Sequence, residues 1–395
     1  MNNLNKILSY VVVAFLASAL TLALLPSRRV YSPGATGVSD GSKLVELAEY
    51  IDKYFVDDAD MTALEDAAAS AMVEATGDRW SYYVPASEYA GLMESSENAY
   101  VGVGITISMT EDESGLEIVD VAEGGPADLA GVKVHDILVS VEGQNCAELG
   151  VEGARNLVRG QAGTDVNMTF IRDGEQFDLA ITRKAVEVPV ATYEMLDSGY
   201  GFIEIVNFNQ RCAQETSEAI VNLMASGAKG IIFDVRFNPG GHVSELVALL
   251  DYILPEGPLF RSESYDGTTS VEESDETHIN IPMAVLVNGD SYSAAEFFAA
   301  ALQEYEYAEI VGQNTSGKGH YQQTFRLSDG SAVAISTGKY YTPNGVNLEG
   351  VGITPDVIVD MDEDTYAALY YGELSIDEDP QVQAAISALN SMVQP

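Results

Sequence analysis

Basic residues are scarce in this 395-residue chain: 19 lysines and arginines stand against 61 aspartates and glutamates, a formal net charge of −42. So few cations cannot build a face that neutralises a run of phosphates, which argues against nucleic acid as a partner. The acidic excess fits an extracytoplasmic or high-salt setting. Two cysteines, Cys146 and Cys212, are too few for a disulfide framework, and one bridge is the most they could form. No Cys-His cluster has metal-ligand spacing, so no metal is expected, and no cofactor motif is present. No internal repeat is visible.

What the chain does have is length for two or three domains and 46% hydrophobic residues. Ile7 to Leu25 carries no charge over 19 residues, enough to span a bilayer core, between Lys6 and Arg28-Arg29. A cleaved signal would show a shorter apolar core; Ala17-Ser18-Ala19 resembles a cleavage site but falls inside the run. An uncleaved anchor is the expectation, with signal cleavage as the alternative. Tyr31 to Gly41 reads as a linker. Lys43 to Tyr54 and Met61 to Thr76 read as helices with apolar faces at Leu44, Leu47, Ala48 and Ile51, and at Leu64, Ala67, Ala68, Ala71 and Met72.

The stretch with chemistry in it is Ile281 to Gln323. Met283 to Val287 is an apolar run fit for a buried strand, and Asn288-Gly289-Asp290 signals a turn. Ala294, Ala295, Phe297, Phe298, Ala301 and Leu302 then recur at helical spacing, so Ser291 and Ser293 sit at a strand-to-helix corner. A helix start offers unpaired N–H groups and a positive dipole end where an oxyanion can develop. A serine hydroxyl there still needs a base. Lys318, in the glycine-rich loop Gly312 to Gly319, is the only lysine between Gly230 and Lys339. A lysine acts as a base once burial has lowered its pKa. Two other readings stand beside this one. Ser293 to Glu296 is also a capping box. Gly312 to Lys318 nearly spells a phosphate-binding loop, but Gly319 stands where that motif needs Ser or Thr.

NGDSYSAAEFF, VGQNTSGKGHYQ, TGKYYTPNG and GVGITPD resemble the carboxyl-terminal processing peptidases, PDZ-containing serine proteases of a Ser–Lys type. The resemblance implies Ser293 as nucleophile, Lys318 as base 25 residues on, and Gln322 as the group that orients the lysine. Tyr292 and Ala295 depart from the family's S-A-S-A-S-E without removing a catalytic group. Arg236-Phe-Asn-Pro-Gly-Gly241 resembles its glycine signature, implying an oxyanion hole from the N–H of Ala294 and that of Gly240 or Gly241. Val101-Gly102-Val103-Gly104-Ile105 resembles a PDZ carboxylate-binding loop, with Val151 to Val158 as the groove helix, implying protein or peptide substrates with apolar C-termini. Gly77 to Tyr83 resembles the family's turn before the PDZ domain and reads as structural.

The implied architecture is α/β: a crotonase-like protease core with an inserted PDZ domain, an N-terminal helical arm and a transmembrane helix. Its parts are an anchor or signal over 1–30, linker and helical region over 31–95, PDZ domain over 96–186, protease core over 187–360 and C-terminal helical tail over 361–395. Tyr252 to Thr277 reads as a surface excursion, Phe325 to Thr337 as a hairpin, and the tail as two acidic helices around Asp377 to Pro380. His242, His278 and His320 fall in no triad signature. The uncharged run Ile7 to Leu25 implies a single-pass membrane protein, or a secreted or periplasmic one after signal cleavage; the resemblance implies that the catalytic part is extracytoplasmic and that the helical arm can form a homodimer. A catalytically silent PDZ scaffold is the alternative from a different class.

Overall fold

Met283–Val287 lies at the middle of a six-stranded sheet, paired in parallel with Ile231–Asp234 on one side and Ala308–Gly312 on the other. The sheet continues through Gly201–Ile205 to the antiparallel edge Ala191–Met195, and on the other side ends at Val357–Ile358. Alternation along each strand divides two cores. Ile231, Phe233, Met283, Val285 and Val287 face one layer, with the helices Cys212–Ala225, Val243–Ile253 and Ala294–Glu304. Ile232, Ala284 and Leu286 face the other, where Val382, Ala385 and Leu389 of the helix Pro380–Val393 cover them. Both faces are buried, which is why the strands read as unbroken apolar runs. This is a mixed α/β fold.

The structure is a computed structural model that describes residues 42–393, residue 111 excepted. The expected membrane segment lies outside them, and no helix among the described residues is long and apolar enough to cross a membrane.

Several expectations need correction. The C-terminal tail forms two helices, Glu363–Tyr370 and Pro380–Val393, and the second is part of the core: it closes one face of the sheet, and the buried Arg236 bridges Asp234 and Asp379 (2.5 and 2.7 Å) to hold it there. Tyr252 to Thr277 is not an excursion but contributes two strands, Gly257–Ser264 and Thr269–Ser274, to a second sheet. The hairpin is longer than expected, His320–Arg326 with Ala332–Tyr341, and joins that sheet, as does Tyr82–Val84 from the N-terminal side. Cys146 and Cys212 are both free and buried, in separate cores, so no bridge links them.

The PDZ-like unit enters and leaves through one antiparallel ribbon, Ala99–Gly102 with Lys184–Glu187. Its sheet ends at Ile105–Met109, an edge strand, beside the helix Cys146–Val158. That helix breaks at Gly150, whose φ is +66°, so the regular part begins at Val151 as expected. Arg211 fastens the ribbon to the core: its guanidinium donates to the carbonyls of Glu97, Asn98 and Val188.

Candidate active site

The strand Met283–Val287 ends at Asn288, a buried residue whose Oδ1 accepts from the N–H groups of Phe237 and Asp290. Ser291 Oγ accepts from Asn288 N–H (3.0 Å) and donates to Val235 O (2.7 Å), so this first serine is spent on the corner. Ser293 follows at φ +58° and ψ −127°, immediately before the helix Ala294–Glu304. A residue with a Cβ occupies that region at a cost of about 1–3 kcal/mol. A strained strand-to-helix elbow of this kind presents the serine hydroxyl.

Glu296, three residues on, is fully buried in a helix otherwise faced with alanine and phenylalanine. Its Oε2 accepts from the N–H groups of Ser293 (3.0 Å) and Lys318 (2.8 Å). Its Oε1 accepts from Gly317 N–H (2.7 Å) and Thr315 Oγ (2.6 Å). Burial pushes the carboxyl above its ordinary range, and the donors pull it back. The capping box expected at Ser293 is therefore half of a larger device that clamps the glycine loop to the elbow.

Lys318 is 3% exposed, and burial brings its amine down to about 8, with Glu296, Asp78 and Glu349 pulling the other way. Gln322 is fully buried. Its Nε2 donates to His320 O (3.2 Å) and Ser336 Oγ (2.9 Å), while its Oε1 is buried without a partner among the described residues. The expected bond from Gln322 to the Lys318 amine is thus not formed, but the acceptor for it is vacant.

Gly240 lies hard against the elbow: a Cβ there would come within 2.8 Å of Ala294 N and of Ser293 Cβ. Its own N–H donates to Asn238 Oδ1 (2.8 Å). Asn238 is buried, its Nδ2 donates to Ile205 O, and its carbonyl accepts from Tyr292 N–H (3.1 Å), so it fixes the glycine loop against the corner. Of the two glycines only Gly241 keeps its N–H without a partner among the described residues, and Ala294 N–H, in the first turn of its helix, keeps its own as well. His242 is turned elsewhere, its Nε2 3.0 Å from Ser96 Oγ. His320 lies 2.9 Å from Glu349, and His278 is exposed. Among the described residues no group of acids, histidines and cysteines could hold a metal.

In the PDZ-like unit, Val101 and Gly102 pair with Ala185 and Lys184 in the connecting ribbon, and Val103, Gly104 and Ile105 lead from it into the edge strand. Gly104 has φ +79° and turns the chain into the edge strand.

Two further residues belong to the site. Glu296 reads from sequence as a cap; an acid inside a run of apolar helix positions is the signal for more. Trp80 stacks on Tyr292 (centroids 6.0 Å apart), and its indole N–H donates to Glu349. That contact crosses more than two hundred residues of sequence, and no local pattern could show it.

The model of peptidase family S41 matches residues 199–359, and that of the PDZ domain matches residues 117–172. The chain is 32% identical over 365 residues to the carboxy-terminal processing protease CtpA of Bacillus subtilis, covering 91% of this chain and 78% of that one. It is 30% identical over 313 residues to the carboxyl-terminal-processing protease of Synechocystis, with 78% and 72% covered. In fold it is similar to a solved structure from Bacteroides fragilis described as an S41 protease, with a TM-score of 0.51, 15% identity, and 92% and 100% of the two chains covered.

Proposed function

The chain belongs to peptidase family S41, as a carboxy-terminal processing serine protease with a PDZ domain, and on that premise we propose that Ser293 is its nucleophile, Lys318 its general base and Gln322 the group that aims the lysine. The neutral Lys318 amine takes the Ser293 proton as Oγ adds to the scissile carbonyl. The ammonium then returns that proton to the leaving amine, and water repeats the sequence on the acyl-enzyme. Gln322 supplies its vacant Oε1 as a neutral acceptor, which orients the amine without the negative charge that would keep it protonated. Gly241 and Ala294 supply the oxyanion N–H groups, each worth about 3 kcal/mol in the transition state; Gly240 is set aside because Asn238 occupies its N–H.

The observation that carries this reading is the Glu296 carboxylate, which fastens the backbone at Ser293 to the backbone at Lys318. The test is kinetic. Ser293→Ala and Lys318→Ala should each lose peptide cleavage, and a serine-directed phosphonate should label the wild type at Ser293 and not the alanine variant. Wild-type rates in either variant sink the mechanism.

The substrate reading follows from the edge strand Ile105–Met109, which lies open beside the groove helix. A substrate tail adds there as a further strand, its terminal carboxylate at Val103 to Ile105 and its last side chain among apolar residues. The same motif order supports gating, in which tail binding shifts the domain and opens the site; removing residues 100–183 should then change cleavage of tails. The mixed sheet with helices on both faces supports a crotonase-like core. Placement outside the cytoplasm, by an anchor or after signal cleavage, rests on the uncharged run Ile7 to Leu25. The helical arm leaves Leu44, Val45, Leu47 and Met72 between 43% and 60% exposed, and a second copy of the chain would cover them. Light scattering of the soluble part should give a dimer's mass.

A further inference from the structure

The turn from Gly77 to Tyr83 precedes the PDZ-like unit by sequence but lies on the proposed base in space. The Lys318 Nζ sits 5.0 Å from the centre of the Trp80 ring and 5.8 Å from that of Tyr292, the residue before the proposed nucleophile. Trp80 and Tyr292 stack on each other, 28° from parallel. The guanidinium of Arg79 lies 4.1 Å over the Trp80 ring and donates to the carbonyls of Gly317 (2.9 Å) and Ser316 (3.3 Å), in the loop that carries the lysine. The Trp80 indole N–H donates to both oxygens of Glu349, and Glu349 Oε2 accepts from Gly319 N–H (2.8 Å) on the other side of Lys318. The loop is thus held on both sides of its lysine by two consecutive residues of the N-terminal turn.

We propose that Trp80 is a positioning residue of the catalytic site: its indole forms the wall that keeps water from the Lys318 amine, and through Glu349 it fixes the loop that presents that amine. The proposal rests on Lys318 being the base. Two effects of the ring oppose each other. An aromatic face favours an ammonium and raises its pKa by about one unit. Exclusion of water disfavours the ammonium and lowers the pKa of a fully buried amine by up to about three to five units. The second is larger, so the wall makes a neutral amine more available. The charges facing Lys318 are Glu296 from the helix of Ser293, Asp78 and Arg79 from the turn, and Glu349. His320, beside Glu349, and the Tyr292 phenol are the other titratable groups close by. Arg79 adds to the wall's effect, since a cation over the same ring repels a protonated lysine.

The chain contains one tryptophan, so its fluorescence reports on this wall alone. Emission of the full-length protein should change through about pH 8, the value to which burial brings Lys318, and Lys318→Met should abolish that change. This readout needs no activity, so it is independent of whether the lysine is catalytic. In peptide cleavage, Trp80→Ala should move the acid limb of kcat/KM upward by about one unit, with a loss of about tenfold at pH 7 that is recovered above pH 9. Trp80→Phe, which keeps a ring, should leave the limb within about 0.3 unit of wild type. The proposal is overturned if Lys318→Met retains the fluorescence transition, or if Trp80→Ala lowers kcat/KM by the same factor at every pH. Activity remaining in Lys318→Ala would instead remove the base assignment itself.

Discussion

The backbone N–H groups of Ser293 and Lys318 meet on one oxygen, Oε2 of Glu296, at 3.0 and 2.8 Å. Residues 25 apart in sequence are thereby tied through a carboxylate that is wholly buried. Glu296→Gln tests the tie. Either orientation of the amide turns an NH2 group toward donors, so at least one N–H is left facing another. The expected cost is about 1–3 kcal/mol in stability, seen as a lower Tm. The expected kinetic effect is a fall in kcat larger than any rise in KM, because the loop moves relative to the elbow while the PDZ groove is untouched. An unchanged Tm together with an unchanged kcat would show that the clamp is idle.

The pH dependence follows from the lysine. Burial brings its amine down to about 8, so below that pH the proposed base is increasingly protonated, and kcat/KM should fall about tenfold per pH unit. Stability runs the same way. In the unfolded chain a lysine holds its proton to about 10.4; between the two values the unfolded state binds the extra proton, so this group makes the protein more stable as pH rises. Lys318→Met removes the buried cation. It should therefore be the more stable protein at pH 7, by at most about 3 kcal/mol, and the advantage should vanish above pH 10.5. Urea titrations of both proteins at pH 7 and pH 10.5 give the comparison, and a constant difference would contradict the depressed pKa.

Strain at the elbow gives a third expectation. Ser293 holds φ +58°, where only glycine is at ease. Ser293→Gly and Ser293→Ala should both be inactive, but the glycine variant should be the more stable by about 1 kcal/mol. Equal Tm values would mean that the backbone relaxes once the hydroxyl is gone.

The oxyanion loop gives the fourth. Gly240 lies at φ +86°, and Gly240→Ala drives a methyl toward Ala294 N and Ser293 Cβ at 2.8 Å, so it should lower the Tm and reduce kcat by about a hundredfold or more. Gly241→Ala meets the backbone of Phe208 at 2.2 Å, with no flexible side chain to yield, and should also lower the Tm. If Gly240→Ala cleaves at the wild-type rate, the assigned donors are not where the oxyanion forms.

Much of the fold is legible in the sequence. The central strands are apolar on both faces, and the elbow declares itself by Asn288-Gly289-Asp290 followed by helical spacing. Ser293, Lys318 and the glycine pair are legible as candidates through the short motifs that resemble those of the carboxyl-terminal processing peptidases. What was not legible rests on contacts between distant segments. Glu349 joining Trp80 to Gly319, and Asp379 reaching Arg236, leave no periodicity in the sequence. Tyr252 to Thr277 reads as surface because it is acidic and serine-rich, and one of its two strands is indeed exposed along most of its length: in Thr269–Ser274 only Ser274 is buried. The final helix is legible as a helix, but that its face of Val382, Ala385 and Leu389 is buried against the sheet depends on docking between distant segments.

That helix supplies the last prediction. Arg236 is buried with Asp234 on one side and Asp379 on the other, and its Nη1 also donates to Gln381 Oε1 (3.0 Å). Removing one carboxylate from a buried pair costs about 3–5 kcal/mol, because the remaining charge is left without its partner. Asp234 stays with Arg236 after Asp379→Ala, so the loss should fall toward the lower end of that range. Asp379 Oδ1 also caps the helix through Gln381 N–H and Val382 N–H, so Asp379→Asn, which keeps an oxygen for the cap, should cost less than Asp379→Ala. Arg236 begins the loop that runs through Asn238 to Gly240 and Gly241, so the damage should reach the active site: kcat should fall along with the Tm, with KM for a tail peptide nearly unchanged. A variant that loses stability but keeps kcat would mean that the C-terminal helix closes the core without steadying the oxyanion loop.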